Sequence, residues 1–133
     1  MSAVGPHLTG LLLAGGKALR LGGNKASLDL AGTSLLERGA ALAHACCDEL
    51  LLLAGDRGLQ LPGVRCLADW PGVAGPLAGL AAGLAAAKNP WSLLLPCDQP
   101  FVTVELVRWL QSRLEAVASS VSPVAVVFQD DHG

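Results

Sequence analysis

A glycine-rich segment near the amino terminus combines closely spaced glycines with cationic side chains. Four glycines fall within residues 15–25, which also contain Arg20 and Lys25. Because glycine has no side chain, a ligand can approach the main-chain amides of such a loop closely. Successive amides form a nest for phosphate oxygens, and guanidinium and ammonium groups add charge-assisted hydrogen bonds. The segment is therefore a candidate polyphosphate site, with a plain surface loop as the alternative.

Two common phosphate-binding motifs do not occur in this segment. A P-loop requires G-x-x-x-x-G-K-[ST], but Lys25 follows Asn24 and precedes Ala26. The dinucleotide fingerprint G-x-G-x-x-G is also missing from the loop. The sequence thus supports neither a P-loop NTPase nor an NAD-binding domain.

A single carboxylate follows a later apolar run. Asp98 lies within Pro96–Pro100, directly after the run Trp91–Leu95. Burying a carboxylate at the end of such a strand costs free energy unless a cation or hydrogen-bond donors interact with it. Mg²⁺ suits such a position, because it takes one or two protein carboxylates together with substrate phosphates. Asp98 is therefore a candidate metal ligand, and capping of the following turn is the alternative.

A third segment, Asp69–Gly79, places another carboxylate after a short apolar run. Gly75 and Pro76 open a helical pattern, and proline suits the first position of a helix. The amino end of that helix can receive an anionic group. Asp69 is accordingly a candidate binding residue. The alternative is a turn-forming aspartate, with the glycines present for close helix packing.

These segments alternate with apolar runs of strand length and with longer helical patterns. Such alternation predicts an α/β fold with a mostly parallel, Rossmann-like sheet and helices on both faces, in three α/β/α layers. Ligands of these sheets bind beyond the carboxyl ends of the strands, where all three segments fall. We predict strands at 8–14, 50–54, 64–68, 91–95 and 124–128, and helices at about 34–47, 77–87 and 103–119.

The composition predicts one domain over residues 1–133 and excludes several classes of protein. Hydrophobic residues make up 52% of the chain and charged residues 15%, which excludes a disordered chain. The net charge of −2 leaves no basic footprint for nucleic acid. The uncharged stretch 70–87 is interrupted by prolines and glycines, so it is a poor membrane span. The four cysteines lack disulfide or zinc-site spacing, which predicts a reducing, cytoplasmic compartment.

Together, the three segments resemble the molybdenum cofactor guanylyltransferase family, within the MobA-like nucleotidyltransferases. The family signature L-A-G-G-x-x-x-R-M-G-x-x-K is matched by Leu13–Lys25, with Leu21 at the methionine position and Asn24 where aspartate is common. An aspartate segment ending in G-P-L-x-G is matched by Asp69–Gly79, and P-C-D-x-P by Pro96–Pro100. The resemblance extends over about residues 8–128.

The resemblance implies Mg²⁺-dependent transfer of GMP from GTP to molybdopterin or the molybdenum cofactor, with release of pyrophosphate. It assigns the metal ion to Asp98, which also contacts the nucleotide. From the residues themselves we add a catalytic role for Arg20 beside Lys25 and Asp98, because their charges would stabilise the phosphates. The predicted nucleotide-binding residues are Leu13, Ala14, Gly15, Gly16, Lys25, Asp69 and Asp98.

Two alternatives remain open. Family members carry an asparagine after the second strand, where this chain reads Leu53–Asp56 without one. This favours a cytidylyl- or sugar-phosphate nucleotidyltransferase, although Gly15 favours guanine, because cytidylyltransferase relatives usually have alanine there. Family members also extend well beyond residue 133, so we expect part of the acceptor site to be missing. A truncated, non-catalytic nucleotide-binding module is therefore the second alternative, and a homodimer would cover its open sheet face.

Overall fold

The computed structural model describes residues 7–14, 29–30, 33–55, 60–96 and 102–118. The chain divides into two compact units. His7–Phe101 holds the sheet and the first two helices, and Met1–Pro6 with Val102–Gly133 holds the last helix. The elements are β1 (Leu8–Leu13), β2 (Asp29–Leu30), β3 (Thr33–Ser34), α1 (Leu35–Cys46), β4 (Glu49–Leu53), β5 (Arg65–Leu67), α2 (Pro76–Ala86), β6 (Trp91–Pro96) and α3 (Val104–Ala118).

Four strands form a parallel sheet in the order β5-β4-β1-β6. β1 pairs with β4 on one side and with β6 on the other. The strands that follow β1 in the sequence are thus added first on one side of it, as β4 and β5, and then on the other side, as β6, which is a reversal of strand order at β1. In open α/β sheets such a reversal opens a crevice at the carboxyl ends of the two strands, where ligands bind. The predicted parallel sheet is confirmed, and by this rule a ligand is expected between the ends of β1 and β6.

The first two helices cover opposite faces of this sheet. A Cβ atom on Gly10 would lie 3.2 Å from the Cβ of Ala43 in α1. One on Gly83 in α2 would lie 3.0 Å from Leu11 Cδ2. Because consecutive strand residues point to opposite faces, Gly10 and Leu11 place α1 and α2 on different sides. Within residues 7–96, the predicted α/β/α layering is confirmed.

The central strands are buried on both faces and consist almost entirely of leucine. Leu11 and Leu12 of β1 and Leu51–Leu53 of β4 are at most 2% exposed. Continuous apolar runs of this kind are typical of parallel strands that are covered by helices on both sides. They form the interior of the described part of the chain.

A polar network ties the strands together at the amino edge of the sheet. The hydroxyl of Thr9, which is fully buried, donates to Glu49 Oε1 at 2.8 Å and accepts from Asn89 Nδ2 at 3.0 Å. The Lys88 main-chain N–H also donates to Glu49 Oε1, at 3.0 Å. This Lys88 bond, aided by the Thr9 bond, lowers the pKa of Glu49 below its ordinary value of 4.5. The network fixes the β1–β4 pair to the start of β6.

Two further elements test the sequence-based predictions. The Thr103 hydroxyl accepts from the Leu106 main-chain N–H at 3.2 Å and caps α3, which confirms the helix predicted at about 103–119. The antiparallel pairing of β2 with β3 was not predicted. The predicted strand at 124–128 lies outside the described residues. None of the helices in the described ranges is long and apolar enough to cross a membrane.

Candidate active site

The four parallel strands end at nearly the same level. Leu13 stands opposite Leu53 on one side and Pro96 on the other. Leu53 in turn stands opposite Leu67, the last residue of β5. The segments after these strands therefore leave the same edge of the sheet, as expected for a ligand site of an α/β fold. We call this edge the carboxyl edge.

The predicted site residues divide between described and undescribed positions. Leu13, Ala14 and Asp69 are described, and all three lie at or just after the carboxyl edge. The strand that precedes Asp98 is the direct neighbour of the strand that precedes the glycine-rich loop. The residues outside the described ranges are Gly15, Gly16, Arg20, Lys25 and Asp98.

Leu13 and Ala14 have side chains that serve packing. Leu13 is half-buried and packs against the cluster formed by Leu11, Leu51 and Leu53. Ala14 is 1% exposed, and its main-chain N–H donates to the Leu53 carbonyl oxygen at 3.0 Å. A contact of Ala14 with a ligand must therefore use the main chain, whereas part of the Leu13 side chain stays accessible. This agrees with the position of Ala14 at the entrance to a loop whose glycines also offer only main-chain groups.

Asp69 is held against the end of β4. A Cβ atom on Gly55 would lie 3.1 Å from Asp69 Oδ2 and 3.3 Å from Oδ1. A Cβ on Gly79, in the first half of α2, would lie 3.7 Å from the same Oδ1. Within the described ranges, no residue donates a hydrogen bond to this carboxylate, and the residue is exposed. Both oxygens are thus available to accept hydrogen bonds from a ligand.

The loop between Asp69 and α2 is closed by main-chain hydrogen bonds. The Trp70 N–H donates to the Ala78 carbonyl oxygen at 2.9 Å, which fixes the residue next to Asp69 to the first turns of the helix. Gly75 caps the helix with φ of 71° and no side-chain hydrogen bond, and no acidic residue lies in the first turn. Pro76 has no N–H, and the Ala78 N–H donates to the Gly75 carbonyl oxygen at 3.1 Å, so few amides of this end remain for a ligand. The carboxylate of Asp69 nevertheless lies near the positive end of the helix dipole.

A groove of about 370 Å³ runs from Asp69 along the α2 side of β5. Trp70 forms one wall, and its side chain is 47% exposed. The floor is made by Ala82, Ala85 and Ala86 of α2, and Arg65 lines the groove as well. The Trp70 indole thus lines the same groove as Asp69 and is exposed to solvent, so its fluorescence can change when a ligand binds there.

The donor chemistry at this edge fits one divalent cation shared with phosphates. Mg²⁺ commonly takes one or two protein carboxylates and fills its remaining positions with phosphate oxygens and water. Asp98 is the second residue after β6. β6 pairs with β1, the strand that leads into the glycine-rich loop. In the sequence, a carboxylate and the glycine-rich segment therefore follow strands that are adjacent in the sheet, and a carboxylate is a ligand type that such an ion takes.

Gly55 is the residue at this edge that sequence reasoning missed. Gly55 follows the predicted strand 50–54 directly, in a loop expected at the ligand-binding edge, but it was assigned no role in the site. Its φ of 61° lies in the left-handed region that favours glycine, and it contacts a predicted site residue. The signal available in the sequence was a glycine directly after a buried strand, at the same edge as Asp69.

Several known proteins are similar to this chain in sequence or in structure. A molybdenum cofactor guanylyltransferase from Burkholderia lata is 37% identical over 95% of this chain and 65% of its own length. The chain thus spans less than two thirds of that relative. Among solved structures, the 2-C-methyl-D-erythritol 4-phosphate cytidylyltransferase of Thermus thermophilus is 25% identical and has a TM-score of 0.66. The match covers 95% of this chain and 60% of the length of the cytidylyltransferase.

A second solved structure is Rv0371c of Mycobacterium tuberculosis H37Rv in complex with manganese. It is 25% identical and has a TM-score of 0.62. The match covers 84% of this chain and 61% of the length of Rv0371c. The family model of the MobA-like NTP transferase domain matches residues 10–133. Its match includes the glycine-rich segment, Asp69 and Asp98. The chain therefore belongs to the MobA-like NTP transferase family.

Proposed function

We propose that this chain forms the nucleotide-binding part of an enzyme that transfers GMP from GTP to molybdopterin or the molybdenum cofactor. Pyrophosphate is the second product. The observation that carries the proposal is the register of Leu13 with Pro96. Because of this register, the glycine-rich signature follows β1 and the Asp98 motif follows β6, and these two strands are neighbours that end side by side. The Burkholderia lata relative, named for guanylyl transfer, supports the choice of nucleotide and acceptor.

The chemistry requires no protein nucleophile. An oxygen of the acceptor phosphate attacks the α-phosphorus of GTP, a new P–O bond forms, and the bond to the β-phosphate oxygen breaks. Catalysis then consists of positioning the two substrates and neutralising charge on the phosphates. Lys25 and Arg20 supply positive charge to the transferring and leaving groups. The amides of Gly15 and Gly16 cradle the phosphates and the edge of the base.

Asp98 would hold Mg²⁺ at this site. When bound, the ion would neutralise negative charge on the phosphates. The manganese complex of Rv0371c supports a divalent cation in this fold. Asp69 lies at the same edge, and its two carboxylate oxygens accept hydrogen bonds from N–H or O–H groups of the nucleotide. We place the reaction in the cytoplasm, because the cysteine usage suits a reducing compartment.

A cytidylyltransferase is the second candidate. Two observations favour it: the likeness to the Thermus thermophilus cytidylyltransferase, and the lack of asparagine in residues 53–56. The two candidates share the phosphate and metal sites and differ in the base. Competition between GTP, CTP and UTP for one site therefore separates them.

The test uses the fluorescence of Trp70. Replacing Trp91 and Trp109 by phenylalanine leaves one indole, beside Asp69. We expect GTP to change its emission in a saturable, Mg²⁺-dependent manner, and CTP to do so only at much higher concentration. Equal affinity for GTP, CTP and UTP would contradict both base-specific candidates, and no response to any nucleotide would contradict nucleotide binding at this edge.

Two aspartate variants test the metal assignment. Asp98→Asn should abolish the Mg²⁺ dependence of GTP binding, because the amide loses the negative charge that attracts the ion. Asp48→Asn is the matched control, since Asp48 lies at the amino edge and bonds to His7 at 2.9 Å. It should leave GTP binding unchanged. Metal-dependent affinity that survives in the Asp98 variant would contradict the assignment.

A further inference from the structure

Gly55 lies in direct contact with the carboxylate of Asp69. The three atoms nearest to a Cβ at position 55 all belong to that group, with Oδ2 at 3.1 Å, Oδ1 at 3.3 Å and Cγ at 3.4 Å. The first two distances are shorter than ordinary van der Waals contact. Any side chain at position 55 must therefore displace the carboxylate, even if the backbone keeps its conformation.

Asp69 is exposed, so its carboxylate can yield toward solvent, whereas α2 limits its movement on another side. The Cβ position of Gly79 in α2 lies 3.7 Å from Oδ1, which is ordinary van der Waals contact. The next residue, Trp70, is fixed to α2 by the bond from its main-chain N–H to the Ala78 carbonyl oxygen. Since the backbone is held, displacement must rotate the carboxylate away from the end of β4 and toward solvent.

We propose that Gly55 is a positioning residue, whose missing side chain sets where the Asp69 carboxylate lies and thereby the affinity for the nucleotide. The effect on affinity rests on the proposed function, in which Asp69 accepts hydrogen bonds from the nucleotide. The placement of the carboxylate rests on the contact alone. Gly55 acts only through Asp69 and touches no reacting group.

The chain offers a matched control for the strain of a left-handed backbone. Gly63 has φ of 74°, close to the 61° of Gly55, but no atom lies within 4 Å of a Cβ at that position. Gly55→Ala and Gly63→Ala therefore carry the same kind of conformational cost. They differ in the collision with Asp69, so the difference between the two variants isolates the positioning effect.

The experiment combines these variants with Asp69→Ala in a double-mutant cycle. The alanine removes the three atoms that a Cβ at position 55 would meet. We expect Gly55→Ala to weaken Mg²⁺·GTP binding about tenfold, the scale of one charge-assisted hydrogen bond, and Gly63→Ala to leave it unchanged. In the Asp69→Ala background, Gly55→Ala should have no further effect on affinity. Isothermal titration with GTP provides these values.

A second readout needs no nucleotide. The carboxyl ¹³C signal of Asp69, assigned by its loss in Asp69→Ala, should shift in Gly55→Ala and stay in place in Gly63→Ala. If Gly55→Ala does not fold, Gly55→Asn replaces it, because asparagine tolerates a left-handed backbone and still carries a Cβ. An Asp69 signal that is the same in the parent, Gly55→Ala and Gly63→Ala overturns the positioning role.

The two readouts separate the inference from the function on which it rests. A shifted Asp69 signal in a chain that binds no GTP upholds the placement and overturns the proposed function. GTP binding that is unaffected by Asp69→Ala overturns the link between the placement and affinity. GTP affinity that falls equally in Gly55→Ala and Gly63→Ala shows that backbone strain is the cause, which also overturns the inference.

Discussion

Two glycines in α2 differ in the space around them, and this difference predicts opposite effects of the same substitution. Gly79 and Gly83 lie one turn apart on the face that packs against the sheet. A Cβ on Gly79 would have its nearest neighbours, Leu13 Cδ1 and Leu53 Cβ, at 3.5 Å, which is ordinary contact. One on Gly83 would have Leu11 Cδ2 at 3.0 Å and Leu53 Cδ2 at 3.1 Å.

The magnitudes follow from helix propensity and packing. Alanine is favoured over glycine inside a helix by about 1 kcal/mol, and this gain applies to both positions. At Gly83, Leu11 and Leu53 are 0% and 1% exposed, so neither can move aside into solvent. Overpacking of such a site costs about 1–3 kcal/mol. Gly79→Ala should therefore stabilise the chain by about 1 kcal/mol, and Gly83→Ala should be less stable than Gly79→Ala by about 1–3 kcal/mol.

Thermal unfolding of the ligand-free chain measures the difference. At about 4 °C per kcal/mol for a chain of this size, the midpoint of Gly79→Ala should exceed that of Gly83→Ala by about 4–12 °C. The comparison is internally controlled, because the propensity gain is common to both variants. Equal midpoints, or a higher midpoint for Gly83→Ala, would refute the packing of α2 against Leu11.

Three more predictions concern the amino edge and the cysteines. Thr9→Val should lower the free energy of unfolding by about 1–3 kcal/mol, because it leaves the amide of Asn89 and Glu49 without their buried partner; urea unfolding measures it. The pKa of Glu49 is lower in the folded chain than the ordinary value of 4.5, so the ionised carboxylate stabilises the fold above pH 4.5 and this stability is lost as the pH falls below it. When the free energy of unfolding is measured between pH 7 and pH 3, Glu49→Gln should therefore show a smaller loss at acidic pH than the parent chain. The same loss in both chains would contradict this role. Burial raises the pKa of the Cys47 thiol to about 12, so at pH 8 iodoacetamide should alkylate exposed Cys66 well before Cys47, as peptide mass spectrometry will show.

The positions of most strands and helices could be predicted because apolar runs are bounded by residues that stop them. The run Leu8–Leu13 precedes two glycines, and α2 begins at Pro76 and ends just before Lys88. The β2–β3 hairpin could not be predicted, because two-residue strands show no period. The first helix was predicted to begin at about residue 34, but Thr33 and Ser34 form β3 directly before α1, which begins at Leu35.

The arrangement of the strands could be predicted only in part. Alternating strands and helices predict parallel pairing, but nothing in a single sequence places β1 between β4 and β6. The contact of Gly55 with Asp69 depends on this order, since β4 and β5 are neighbours. It therefore became visible only in the structure. Roles for Lys25, Arg20 and Asp98 stay predictions from the sequence.

The place of β1 in the middle of the sheet has a consequence for how the chain is made. Synthesis proceeds from the amino end, so β1 emerges well before its two partners, residues 49–53 and 91–96. Until β6 has left the ribosome, one hydrogen-bonding edge of an almost wholly apolar strand stays unpaired. Such edges recruit other chains. The yield of soluble protein should therefore depend on translation speed between β4 and β6 and on chaperones that shield Leu8–Leu13 during that interval.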